Sequence, residues 1–199
     1  VTAQYSGDII PGTDPNTKPK EGYVRITFDP GVNGVFSKTD EPTFYDVRVS
    51  AEKHLSDLGK PTVKANDGYT HTGWDKKDDA LLDANMIVTA QYKANVITNP
   101  NTNKPAPEGY IRVSFNATDK GTIVSGTAVQ DVLIAANKTL GDLSKPTVKG
   151  IATNVFSGWD KKDETKLDEN ITDRALKVNA LYNDDMKPVD NPNSPLPKG

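Results

Sequence analysis

Cysteine is absent from this chain of 199 residues. Its absence excludes disulfides, structural zinc sites built on thiolates, and cysteine nucleophiles. Lysine and arginine form no dense block, so we expect neither a nucleic-acid surface nor a basic membrane-binding surface. No apolar run approaches the roughly 18 residues of a membrane-spanning helix. No metal, cofactor or nucleic acid is therefore expected as a partner.

Apolar residues are also scarce, at 35% of the chain, which is below the usual share in globular proteins. Such a composition supports small hydrophobic cores rather than a single large one. The 15 glycines and 14 prolines are expected mainly in turns and linkers, and the formal net charge is only −3.

An internal repeat is the strongest signal in the sequence. Four segments return 85 to 90 residues later, and the G-W-D-K-K-D segment returns unchanged. Between Phe28 and Leu55 the second copy has lost two residues, and after Asn170 it has gained five. Such changes are expected in loops. The returning segments are 21–28 as 108–115, 55–64 as 140–149, 73–78 as 158–163, and 88–92 as 178–182.

The repeats define the expected domains. The first repeat domain covers 7–93 and opens with a Pro-rich lead-in at 7–20. The second covers 94–183, with its lead-in at 94–107. Residues 1–6 contain the V-T-A-Q-Y of 88–92, so we expect them to be the last strand of a preceding repeat. The end of the chain, 184–199, is expected to be a linker toward a further repeat.

The lead-ins allow two interpretations. Pro-rich segments of this kind are semi-extended and stiffer than Gly/Ser linkers. Alternatively, the short apolar pairs Ile9-Ile10 and Val96-Ile97 dock on a neighbouring sheet and make the junction rigid. The sequence does not decide between them.

Apolar residues alternate with polar ones within each repeat, which predicts β-strands. In 23–28, Val24, Ile26 and Phe28 share one face. Val47 and Val49, and then residues 88–92, alternate in the same way. Further short strands are expected at 62–64 and 70–74. One short helix is predicted over 51–58, ended by Pro61. The predicted aromatic core is Phe28, Tyr69, Trp74 and Tyr92 in one copy and Phe115, Phe156, Trp159 and Tyr182 in the other.

The motifs E-G-Y-[VI]-R-[IV]-[TS]-F, L-x-D-L-x-K-P-T-V-K, G-W-D and V-T-A-Q-Y together resemble the SHIRT domain. SHIRT domains are tandem repeats in streptococcal and related Gram-positive surface proteins. The K-P-T-V to T-A-Q-Y portion is also similar to B-repeat type modules of listerial surface proteins. The resemblance implies a β-rich module that stacks head to tail and holds a distal binding domain away from the cell wall. The copies here differ at about half their positions, whereas SHIRT arrays are often nearly identical.

The fold class expected is therefore mostly β (α+β): two similar small domains, each with one short helix, arranged head to tail as an elongated rod. The function expected is a non-catalytic stalk or spacer of a cell-wall-anchored, extracellular bacterial surface protein. Its partners would be neighbouring repeats, with host protein or glycan bound through another part of the parent, and the chain would be a monomer. Alternatively, the repeats are themselves a host-glycan or host-protein binding module of an adhesin or secreted enzyme.

Candidate chemical sites are few, and no catalytic, cofactor or metal residue is assigned. His54 and His71 are replaced by Thr139 and Phe156 in the second copy, so a repeated metal site is not expected.

The acidic runs 75–79 and 160–164 lack the glycine and spacing of a calcium loop and contain lysines. We interpret them as solvated turns, although Asp83, Asn85, Asp168 and Asn170 would add oxygen atoms.

Three further features have ordinary structural interpretations. The glycosylation sequons at Asn116, Asn137 and Asn170 are attributed to chance. A Lys–Asn isopeptide cross-link needs a buried lysine, for which the sequence has no pattern. Trp74 and Trp159 are interpreted as core residues rather than exposed platforms for carbohydrate.

Overall fold

A computed structural model describes residues 7–12 and 14–184. The chain divides into two compact units, Val1–Asn95 (unit 1) and Val96–Gly199 (unit 2). The expected last strand of a preceding repeat at 1–6, and nearly all of the expected C-terminal linker, lie outside the described residues. Within the described part of the chain, no helix is long and apolar enough to cross a membrane.

Unit 1 is built on a five-stranded mixed sheet and a separate two-stranded sheet. The five-stranded sheet has the order β1-β4-β2-β7-β6, and β2 and β7 are its parallel pair. Its edge strand β1 pairs antiparallel with β4. The strands of unit 1 are β1 (Ile9–Pro11), β2 (Tyr23–Asp29), β3 (Gly34–Phe36), β4 (Phe44–Arg48), β5 (Val63–Ala65), β6 (Tyr69–Trp74) and β7 (Met86–Ala94).

Unit 2 repeats this topology. Its five-stranded sheet has the order β8-β11-β9-β14-β13, and β10 pairs with β12 as β3 pairs with β5. The chain is therefore mostly β, as predicted. The strands of unit 2 are β8 (Val96–Thr98), β9 (Tyr110–Asn116), β10 (Gly121–Ser125), β11 (Val129–Leu133), β12 (Thr147–Gly150), β13 (Asn154–Trp159) and β14 (Ala175–Asp184).

One face of each five-stranded sheet carries the hydrophobic core. Alternation places Ile26 and Phe28 in the unit 1 core with Val47, as the sequence predicted. Leu55, which follows β4, and Leu82, in the loop before β7, complete this core and are almost fully buried. Unit 2 uses the equivalent set, from Ile111 to Val178.

The short helix predicted over 51–58 is replaced by two single turns of 3-10 helix, Val49–Ala51 and Leu55–Asp57. Between them Glu52 adopts a left-handed conformation with φ of 49°, which stops an α-helix from continuing. The strand predicted through Val49 consequently ends at Arg48. Unit 2 has the same pair of turns, Ile134–Ala136 and Leu140–Asp142.

Both lead-ins dock on the sheet of their own unit through the apolar pairs noted in the sequence. Ile9 lies opposite Val47 in β4, and Val96 lies opposite Val132 in β11. The Gly12 amide donates a further hydrogen bond to the Phe44 carbonyl. The apolar pairs therefore dock on a sheet, as the second interpretation expected, and that sheet belongs to their own unit.

Candidate functional site

An arginine–aspartate pair on the polar face of the sheet anchors the lead-in of unit 1. Arg25 in β2 lies directly opposite Asp46 in β4. Its Nε and Nη2 donate to the two carboxylate oxygens of Asp46 at 2.8 and 3.0 Å. Its Nη1 donates to the carbonyl of Pro15 in the lead-in at 2.8 Å. The guanidinium also lies 4.4 Å above the Phe44 ring. The hydrogen bonds to Asp46 raise the pKa of Arg25.

Unit 2 has the same arrangement, which we call the lead-in clamp. Arg112 donates Nε and Nη2 to Asp131 at 2.8 and 2.9 Å. Its Nη1 and Nη2 donate to the carbonyls of Lys104 and Asn101. The Asp131 side chain is 1% exposed, against 18% for Asp46, so the second clamp is the more deeply buried.

A tyrosine in the last strand of each unit bonds to the loop after the second strand and lies against the first glycine of the next strand, a pairing that we call the tyrosine–glycine contact. The Tyr92 hydroxyl donates to the Pro30 carbonyl at 2.8 Å, and Tyr182 donates to that of Ala117. A Cβ at Gly34 or Gly121 would lie 2.0 Å from the tyrosine oxygen. Only glycine leaves this space at either position.

Each unit has one tryptophan, and its ring packs against the core. Trp74 meets Phe28 edge-on at 5.1 Å between centroids, and Trp159 meets Phe115 at 5.0 Å. Both tryptophans are partly buried against the hydrophobic cluster of their own unit. Tyr69, predicted as a core aromatic, is instead 38% exposed, at the first position of β6.

His71 occupies the aromatic position that Phe156 occupies in unit 2. Its ring packs against Trp74 and Tyr92 at 5.7 and 5.5 Å. Phe156 makes the same two ring contacts, with Trp159 and Tyr182. The buried Nε2 of His71 has no hydrogen-bond partner, so this histidine is a packing residue with an unsatisfied polar atom.

We therefore predict that His71→Phe stabilises unit 1. Removing an unsatisfied buried nitrogen while keeping the ring is expected to gain about 1 kcal/mol in the free energy of unfolding. Because each unit has one tryptophan, 5-fluorotryptophan labelling gives one 19F NMR signal per unit, and urea unfolding of each can be followed separately. The matched change Phe156→His should destabilise unit 2. A lower urea midpoint for unit 1 in His71→Phe would contradict this interpretation.

His54 is exposed and lies at the start of the second 3-10 turn, where its amide donates to Asp57 at 2.9 Å. Thr139 makes the same contact with Asp142 at 2.7 Å. The two histidines therefore have different structural roles: His54 makes the backbone contact that Thr139 makes, and His71 makes the ring contacts that Phe156 makes.

The acidic runs after the tryptophans are engaged in contacts within the protein. Asp75 accepts from the Thr89 amide and from Lys76, both at 2.7 Å. Partial burial raises the pKa of Asp75, but these donors outweigh that effect and the net pKa is lowered. Asp78 forms an ion pair with Lys60, as Asp163 does with Lys145 in unit 2. In the described ranges, no three His, Asp or Glu side chains are grouped to hold a metal ion.

The three sequon asparagines make different hydrogen bonds and share no common arrangement. Asn116 bonds to Asn179 at 3.3 Å, Asn137 bonds to the Ala135 carbonyl, and the Asn170 amide donates to Asp168.

None of the lysines in the described ranges is buried. The buried lysine that an isopeptide cross-link needs is therefore not found in that part of the chain.

Glu41 has the most strongly shifted carboxyl in the described chain. The Thr62 amide, followed by the Lys38 ammonium at 2.9 Å, lowers its pKa from 4.5 to about 2. The Thr62 hydroxyl donates to the same carboxylate at 3.0 Å. Gly126 stands at the aligned position of unit 2, which therefore lacks this group.

This shift predicts that Glu41 makes a contribution to the acid sensitivity of unit 1 that has no counterpart at the aligned position of unit 2. Because the pKa is lower in the folded state, the unfolded chain takes up the proton first, and the stabilisation is lost as pH falls from 4.5 toward 2. Glu41→Gln should flatten the pH dependence of the unit 1 urea midpoint in that window and leave unit 2 unchanged. An unaltered slope in Glu41→Gln would contradict the assignment.

The clamp and the tyrosine–glycine contact recur in both units, as do the lysine–aspartate pairs, and all of them are contacts within the protein. Sequence analysis did not identify the clamp, although Arg25 and Asp46 alternate with the apolar residues of their strands and recur as Arg112 and Asp131. Comparison of the chain with protein-family models, curated proteins and solved structures found no match.

Proposed function

We propose that this chain is a non-catalytic spacer, in which repeat units follow head to tail as an elongated rod on a bacterial cell surface. The surface location and the distal binding domain rest on the resemblance to SHIRT repeats. The feature of the molecule that supports a spacer is the shortness of the connection between units.

One residue, Asn95, separates β7 from β8. It is itself held in unit 1, where its amide donates to the Gly68 carbonyl and its Oδ1 accepts from the Thr70 hydroxyl at 2.6 Å. The next residue, Val96, already pairs with Val132 of β11. A connection of one hydrogen-bonded residue supports a spacer, because a flexible joint between units needs a longer free linker.

The lead-in clamp supports the same proposal. The Pro-rich segment that reads as a linker in the sequence is bonded to its own sheet through Arg112 and by the strand β8. A docked lead-in leaves each unit with a defined entry and exit of the chain. This is what a stack of repeats needs if length is to grow with the number of units.

Small-angle X-ray scattering on the 199-residue chain tests the proposal. A spacer predicts an asymmetric pair-distance distribution with an extended tail. A single symmetric peak, as from two units packed side by side, would rule out an elongated rod.

A further inference from the structure

Unit 2 contains a segment that unit 1 lacks. The five residues gained after Asn170 form the 3-10 turn Thr172–Arg174 with the residue on each side of it. Ile171 anchors the segment in the hydrophobic cluster of unit 2. Asp173 and Arg174 follow with φ of 54° and 51°, a left-handed pair without glycine. Both residues are exposed.

The inserted segment and the lead-in of unit 2 enclose a surface cleft of about 340 Å³. This volume lies at the lower end of the range for small-ligand sites. The wall from the lead-in includes hydroxyl and amide groups, and the wall from the insertion is charged. The lining residues used below are Thr102, Asn103, Lys104, Pro105, Asp173 and Arg174.

The charges in this cleft are largely uncommitted. Among the described residues, Arg174 makes one long hydrogen bond, to the Pro107 carbonyl at 3.5 Å, and has no carboxylate within ion-pair distance. The side chains of Lys104 and Asp173 likewise make no hydrogen bond or ion pair among the described residues. Arg112, at the base of the cleft, is already neutralised by Asp131. The free groups are two cations and one anion, a net charge of +1.

We propose that this cleft binds an acidic monosaccharide, with the ligand carboxylate on Arg174. A guanidinium presents two parallel donors that match a carboxylate, and Lys104 adds a second positive charge. Asp173 and the Asn103 amide can exchange hydrogen bonds with sugar hydroxyls. Pro105 offers an apolar surface beside them. The proposal adds a binding function to unit 2 and does not depend on the spacer function.

Unit 1 is the natural control because it has no equivalent of the inserted segment. The cleft beside its clamp measures about 140 Å³. Its arginine, Arg25, is bonded to Asp46 and to the Pro15 carbonyl. Asp14 also lines that cleft, and the Asn16 amide lowers its pKa, which keeps it negative. Unit 1 should therefore bind no acidic sugar.

Titration of the complete chain with sodium glucuronate, followed by 1H–15N NMR, tests this assignment. We expect saturable shifts of the Arg174 Nε–H and Asn103 signals with a Kd in the millimolar range, and none at Arg25. Glucose and acetate, which each supply half of the ligand chemistry, should bind at least about tenfold more weakly, a loss of about 1.4 kcal/mol or more.

Two variants complete the test. Arg174→Gln should abolish the saturable shifts, whereas Lys177→Gln, which removes the same charge from an exposed position of β14, should leave the Kd unchanged. Unchanged thermal unfolding of both variants establishes that the fold is kept. Equal weakening by both variants, equal binding of acetate, or absence of a saturable shift with glucuronate would each overturn the proposal.

Discussion

Asp131→Ala is expected to lower the free energy of unfolding of unit 2 by about 3 kcal/mol. The substitution leaves the Arg112 guanidinium, which is 14% exposed, without its carboxylate partner. It also releases the arginine that holds the carbonyls of Lys104 and Asn101. The 19F signal of Trp159 reports the urea unfolding of unit 2, and that of Trp74 serves as an internal reference.

The matched change in unit 1, Asp46→Ala, tests whether the loss of unfolding free energy depends on how deeply the ion pair is buried. Asp46 is 18% exposed and its partner Arg25 also lies over the Phe44 ring, so the loss there should be smaller. Replacing both partners in unit 2, with Arg112→Met and Asp131→Ala, should recover part of the loss because no buried charge remains. Equal losses in the two units would contradict the importance of burial.

Gly121→Ala is expected to destabilise unit 2 by about 2 to 3 kcal/mol through overpacking. The new Cβ would lie 2.0 Å from the Tyr182 hydroxyl oxygen, and the ring would have to leave the Ala117 carbonyl. The φ of Gly121 is not positive, so the constraint is space and not backbone conformation. The urea midpoint of the Trp159 19F signal measures the effect.

A double-mutant cycle with Tyr182→Phe tests the mechanism of this loss. Removing the hydroxyl relieves the closest contact, so the two substitutions together should cost less than the sum of their separate effects. Thr122→Ala, at an exposed position of the same strand, should change stability by less than about 0.5 kcal/mol. Additive effects of Gly121→Ala and Tyr182→Phe would mean that the hydroxyl is not the obstacle.

The sequence predicted the strands best where alternation and repetition agree. Val24, Ile26 and Phe28 show period two, and their copies show it again, so β2 and β9 were placed within one residue of their observed bounds. The β3 and β10 strands were missed because each is short and carries no clear alternation. The helix over 51–58 was wrong because Glu52, between the two 3-10 turns, adopts a left-handed conformation that nothing in the sequence signals.

The polar contacts were less predictable. A cross-strand pair such as Arg112 and Asp131 depends on strand register, and the sequence does not give the pairing of β9 with β11. The docking of the Pro-rich lead-ins was recognised as an alternative, since Val96-Ile97 has strand-like residues. The cleft of unit 2 depends on the conformation of five inserted residues. Alignment of the two repeats located this insertion in the sequence but did not predict its conformation.

The central proposal is that consecutive units are joined without a flexible linker. Because the chain has no cysteine, Lys64→Cys and Lys149→Cys introduce two unique spin-label sites at aligned, exposed positions of β5 and β12. Pulsed electron–electron double resonance should give one narrow distance distribution between the two spin labels. Insertion of a Gly/Ser segment after Asn95 should broaden it. A broad distribution in the chain without the insertion would contradict a rigid spacer.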